Sequence, residues 1–154
     1  MTAAPVFPDV PPAGRREYSW NVLSYRSVLG WEVGLRDGGA VLIVGRGLVA
    51  VIAEVPAALQ AMERLEAVGV EGPVVAVGGQ RPYWAFLADP NEEVRSTADL
   101  PHGVALIGCG GELPLPIRGG LPSGPRWVSA PDRKIGLPTL GAVMLGFQHG
   151  PRSW

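Results

Sequence analysis

Few side chains in this chain could begin chemistry. The only thiol, Cys109, sits in GVALIGCGGELPLPI (103–117), a run of glycines and apolar residues with one carboxylate, Glu112. A thiol becomes a nucleophile when a neighbouring cation or helix N-terminus holds it as thiolate. No His or Lys stands near Cys109 in sequence, so it reads as a small turn residue. His102 and His149 lie in or near loops, with no Cys, His or Asp at ligand spacing, which argues against a zinc site. Glu54, Glu112 and Asp132 could hold a hard cation for nucleotidyl transfer only if folding gathers them. Gly45-Arg46-Gly47 lacks the third glycine of a dinucleotide fingerprint, and no Gly-Lys-Ser/Thr phosphate loop is present.

Binding chemistry is better supplied. Arg81, Arg118 and Arg126 carry planar forks suited to phosphate. Trp31, Trp84 and Trp127 offer faces on which bases stack, at about 1–3 kcal/mol each, although core packing accounts for them equally well. Against a broad nucleic-acid surface, 13 basic residues are balanced by 14 acidic ones, for a net charge of −1. Asp89, Glu92, Glu93 and Asp99 fall in one solvated stretch opposed only by Arg95, which would repel phosphate beside a cleft.

The elements that must position these groups follow from composition and period. At 154 residues, with 47% apolar and 18% charged, the chain fits one domain with a real core. Prolines 5, 8, 11 and 12 make residues 1–15 an extended arm, residues 16–148 form the domain, and 149–154 form a frayed tail. Tyr18, Val22, Tyr25 and Leu29 recur at helical spacing, with Gly30 as a stop. AVLIVGRGLVAVIAEV (40–55) reads as two buried strands hinged at the glycines. Pro56 opens a helix with Leu59, Met62 and Leu65 along one side. Strands are expected at 73–77, 83–88, 103–107, 112–117 and 123–131, with a closing helix over 139–147. Strands outnumber helices and short turns join them, so the class is α+β with a mostly antiparallel sheet and packed helices. The single cysteine fits a reducing cytoplasm, the N-terminus lacks a secretory pattern, and no apolar run reaches the roughly 20 residues that span a bilayer.

In order, these segments resemble the primase-polymerase (Prim-Pol) domain of the archaeo-eukaryotic primase superfamily. The closest likeness is to its bacterial branch, the bifunctional DNA primase/polymerase N-terminal domain. YRSVLGWEV (25–33) resembles the opening helix and strand, and GLVAVIAEVP (47–56) the strand that ends in a D-x-D-P pattern. PAALQAMERLEAVG resembles the next helix, GGQRPYWAF (78–86) the G-G-R-H-aromatic strand, 103–117 the glycine-rich hairpin, and SGPRWVSAP (123–131) the closing segment. The resemblance implies an RRM-like architecture and a metal-dependent nucleotidyltransferase ancestry.

It also implies that the chemistry has been lost. The family's paired carboxylates fall on Ala53 and Val55 counted back from Pro56, or on Ile52 and Glu54 counted from Gly47. Its phosphate-binding histidine falls on Pro82, its third carboxylate on Ala105, and the hairpin arginine and aspartate on Ile107 and Cys109. One carboxylate between apolar residues is a poor magnesium site, since neutralising a divalent ion takes several anionic ligands. The expectation is a catalytically inactive Prim-Pol-like domain, without metal or cofactor, that binds a protein partner or forms a homodimer. Nucleotide or single-stranded nucleic-acid binding through Arg81, Arg118, Arg126 and Trp84 is the alternative. A residual nucleotidyltransferase comes third.

Overall fold

Where the glycines let the chain turn decides the architecture. The structure, a computed structural model, describes residues 20–45, 47–90, 100–117 and 124–147. The elements are α1 (Val22–Leu29), β1 (Val33–Arg36), β2 (Gly39–Ile43), β3 (Val49–Glu54), α2 (Val55–Ala67) and β4 (Val74–Val77). They continue with β5 (Tyr83–Ala88), β6 (Val104–Ile107), β7 (Glu112–Leu115), β8 (Arg126–Ser129) and α3 (Leu140–Leu145). The fold is α+β. Two antiparallel sheets form where one was expected: three strands in the order β1-β2-β7 and five in the order β6-β3-β5-β4-β8.

The expected hairpin at 103–117 does not form. β6 pairs with β3 in the larger sheet, whereas β7 pairs with β2 in the smaller one. The chain passes from one sheet to the other between β2 and β3 and again over 108–111, and Val44 lies beside the second passage. Val44 N–H donates to the Gly111 carbonyl at 2.8 Å, and Gly110 N–H donates to the Val44 carbonyl at 2.8 Å. The four strands thus form one ribbon bent at a corner, as in packed sheets whose strands switch layers. Gly45 (φ 146°), Gly47 (φ 87°) and Gly110 (φ 89°) adopt backbone open to glycine and strained for other residues. The glycine-rich run is shaped by this bend and needs no chemistry to explain it.

Local signals account for the helices. Asn21 Oδ1 accepts from Ser24 N–H at 2.9 Å and Ser24 Oγ accepts from Asn21 N–H at 2.8 Å, a capping box at the start of α1. Gly30, left-handed at φ 74°, closes it. In α2 the buried residues are Ala58, Ala61 and Leu65, while Leu59 is 50% exposed and Met62 only partly covered. The helix is rotated from the expected face because two alanines let its axis sit close to the sheet. α3 buries Leu140, Val143 and Met144 and leaves Leu145 exposed. Most of the apolar side chains of the closing helix therefore face the core.

Each face of the five-stranded sheet has its own core. Ala50, Val75, Ala85 and Leu87 join Tyr25 of α1 and Leu42, Leu113 and Leu115 of the smaller sheet. On the opposite face Val51, Ala53, Val74 and Phe86 pack against α2 and α3. The alternation along β3 sends neighbouring residues to opposite cores.

Candidate functional site

Cross-strand register fixes which of the singled-out residues can work together, since directly opposed residues share a face. Ile52 lies opposite Ala85 of β5 and Ala105 of β6. Two residues on, Glu54 is opposite Tyr83, so Ile52, Glu54, Tyr83 and Ala105 share one face. Ala53 is opposite Trp84 and Val104, on the other face, where it is 2% exposed beneath α2 and α3. Val55 has already entered α2. Of the two possible alignments with the primase pattern, only the one counted from Gly47 keeps its positions on the same face as Ala105. Ala53 and Ala105 are not neighbours on one surface.

On the shared face Glu54 is the only carboxylate among the described residues. It is exposed, its backbone N–H donates to the Gly103 carbonyl at 3.3 Å, and its carboxylate lies over Gly103. Pro82 and Arg81 are exposed in the 78–82 turn that joins β4 to β5. His102 is exposed in the turn before β6. Cys109 is exposed at the corner, close enough to Gly45 that a Cβ there would stand 3.1 Å from its Sγ.

The other two candidate carboxylates are committed elsewhere. Glu112 begins β7 in the smaller sheet and pairs with Arg36 at 2.6 Å. Asp132 Oδ1 accepts from Lys134 N–H at 2.9 Å in the turn after β8. Among the described residues no three of His, Cys, Asp and Glu gather as metal ligands would. Comparison with known protein families, curated proteins and solved structures finds no match to this chain. The chemistry must be judged from the geometry itself.

Two of the expected phosphate and base contacts do share a face. Arg126 of β8 is opposite Ala76 of β4, which is opposite Trp84 of β5. Trp84 is half-buried and Arg126 exposed, so a stacking surface and a guanidinium lie in one row across three strands. Arg118, His149, most of the acidic stretch from 89 to 99, the N-terminal arm and the tail lie outside the described residues.

Sequence reasoning missed the polar centre of the first core. Tyr25 is fully buried; Trp20 and Trp31 stack on its two sides at ring separations of 5.3 and 5.9 Å, nearly parallel. Its hydroxyl donates to the Pro116 carbonyl and accepts from Trp127 Nε1–H at 3.0 Å. Burial holds the phenol well above its ordinary pKa, and the hydrogen bond from Trp127 opposes part of that rise. Burial also raises the pKa of Tyr83. A tyrosine at helical spacing with several tryptophans elsewhere in the chain was the available signal, but nothing in it specified partners from residues 116 and 127.

Two clefts remain. One of about 270 Å³ lies between α2, β4 and the 130–138 segment, with an apolar floor and Glu66, Glu71 and Asp132 on its walls. The other, about 560 Å³, opens between the end of α1 and the first crossing. No helix among the described residues is long and apolar enough to cross a membrane.

Proposed function

We propose that this chain is a non-catalytic relative of the Prim-Pol domain that works by binding a protein, either a partner or a second copy of itself. The observation that carries this reading is the pairing of Ile52 with Ala105, with Glu54 the one carboxylate beside them among the described residues. If the primase likeness holds, these are the positions where two or three carboxylates would share a metal. An aliphatic side chain and a methyl cannot replace them, and a single exposed Glu binds divalent ions weakly. On this reading β3 and β6 still lie side by side, the glycine-rich run is opened out between two sheets, and the ion-binding groups are gone.

The edge of the larger sheet supports a binding role. β6 ends the strand order and presents Val104–Ile107, with neither charge nor proline. Edges that avoid pairing usually carry one or the other. The test uses purified protein, a primed and an unprimed template, nucleotides and magnesium or manganese. No synthesis above background is expected, and sedimentation should show a dimer or higher species. Metal-dependent synthesis abolished by Glu54→Gln would overturn the proposal.

A second reading, single-stranded nucleic-acid binding, is favoured by the Trp84–Ala76–Arg126 row. It predicts quenching of tryptophan fluorescence by an oligonucleotide at low salt, weakened several-fold in Arg126→Ala. A flat titration would eliminate it.

A further inference from the structure

The outer edge of β6 has a definite pattern of used and unused backbone groups. Hydrogen-bonded and non-hydrogen-bonded pairs alternate along antiparallel strands, so one cross-strand bond fixes the phase of a whole ladder. Leu87 N–H donates to the Pro73 carbonyl at 3.1 Å, and Glu54 N–H donates to the Gly103 carbonyl at 3.3 Å. Carried through the registers of β4, β5, β3 and β6, both bonds give the same phase. Gly103, Ala105 and Ile107 turn their backbone groups toward β3, and Val104 and Leu106 turn theirs outward. Nothing among the described residues pairs beyond that edge, and Leu100, shortly before β6, packs on the second core.

Two groups along the edge are already used. Val104 N–H donates to the Pro101 carbonyl at 3.1 Å, and the Gly108 carbonyl accepts from Gly111 N–H at 3.0 Å. The Val104 carbonyl, both groups of Leu106 and, next in the alternation, Gly108 N–H have no partner among the described residues. This pattern is its own complement. With a second β6 laid antiparallel, Leu106 opposite Leu106, each Leu106 N–H meets the other carbonyl. Gly108 N–H then meets the partner's Val104 carbonyl, and the two groups already used face each other. Setting Val104 opposite Leu106 instead brings the occupied Val104 N–H against a free carbonyl. The run from Gly103 to Cys109 holds no Lys, Arg, Asp or Glu, so a two-fold axis brings no like charges together. We propose that two copies of this chain pair through β6, antiparallel and centred on Leu106, joining their larger sheets into one. This interface rests on the binding role proposed above and assigns it to a second copy of the chain. A four-residue edge buries little area, so the dimer should form on the order of 100 μM and dissociate at low micromolar concentration.

The experiment follows the full chain by sedimentation and by amide hydrogen exchange from low micromolar to millimolar concentration. As the dimer forms, the Leu106 and Gly108 amides should gain about tenfold protection or more, whereas the Ala105 amide, bonded to β3, stays protected throughout. Mixing Ala105→Cys with Ile107→Cys, both in a Cys109→Ser background, tests the register. Each would face the other in a non-hydrogen-bonded pair, with Cα atoms about 4.5 Å apart and within disulfide reach. The mixture should form a linked dimer at least about tenfold faster than either variant alone. Gly108→Pro, where a Cβ would meet nothing within 4 Å, removes a donor from each copy and should weaken the dimer about tenfold or more. A monomer at millimolar concentration would overturn the interface. So would a dimer whose Leu106 amide stays unprotected, or equally fast linkage of either cysteine variant alone. None of these outcomes bears on the loss of catalysis, which the synthesis assay decides separately.

Discussion

Replacing Tyr25 with Phe removes one oxygen from the fully buried centre of the first core and nothing else. That oxygen serves two partners, the Pro116 carbonyl and Trp127 Nε1–H. Each hydrogen bond contributes about 1 kcal/mol net, and leaving a buried donor or acceptor unpaired costs about 1–3 kcal/mol. Since Trp127 is only half-buried and can find water, the expected loss is about 2–4 kcal/mol. For a chain of this length that is a fall in Tm of roughly 6–12 °C. Urea unfolding followed by circular dichroism measures it. A double-mutant cycle with Trp127→Phe should return a coupling of about 1 kcal/mol.

The same hydroxyl predicts a response to alkali. The folded-state pKa of Tyr25 is raised, so below pH 10 its phenol is protonated whether folded or not. Above that pH the unfolded chain ionises first. Stability should fall as pH rises from about 10, with a slope approaching 1.4 kcal/mol per pH unit, and Tyr83 adds in the same direction. Tyr25→Phe should remove its share of the slope. A variant within about 0.5 kcal/mol of the parent, with an unchanged alkaline limb, would refute the buried network.

Other substitutions test the fold and the assignment of faces. Ala53→Asp places a carboxylate beneath α2 and α3 and should cost about 3 kcal/mol or more, whereas Ala105→Asp, at an exposed edge position, should change stability by less than about 0.5 kcal/mol. Comparable urea midpoints for the two would show that the register is wrong. Gly146→Ala would put a methyl 2.8 Å from Leu65 Cγ and 2.9 Å from the Ala61 carbonyl, so thermal melting should report a loss of about 1–3 kcal/mol. Asp37 is left-handed at φ 54° in the turn between β1 and β2; Asp37→Val should cost about 1–2 kcal/mol and Asp37→Gly almost nothing, as read by chemical denaturation.

Local signals in the sequence translated well into elements. Gly30, Pro56 and the apolar runs put both longer helices and most strands within a few residues of where they lie. The Asp37-Gly38 pair was overlooked. It is a strong two-residue hairpin signal, and it joins Arg36 to Gly39 in register. Non-local facts were harder to read. The run at 103–117 has strand, glycines and strand in order, and that pattern is the same whether the strands pair with each other or with β3 and β2. Only contacts formed across more than fifty residues of chain distinguish the two. The face of α2 was misread for a related reason: Leu59 outranks Ala58 in hydrophobicity, but close packing against a sheet favours the smaller side chain. At the candidate site, the choice between Ala53 and Ile52 turned on a one-residue register that alternation alone leaves open.

The paired crossings at the corner carry a consequence for how the protein assembles. Ile43 finds Glu112, and Ala50 finds Ile107, so both sheets wait on the same long loop to close. Neither layer has a private route to completion, and pairing at such separation is slow, on the order of milliseconds to seconds. Refolding should therefore show one principal phase in which both layers gain protection from hydrogen exchange together.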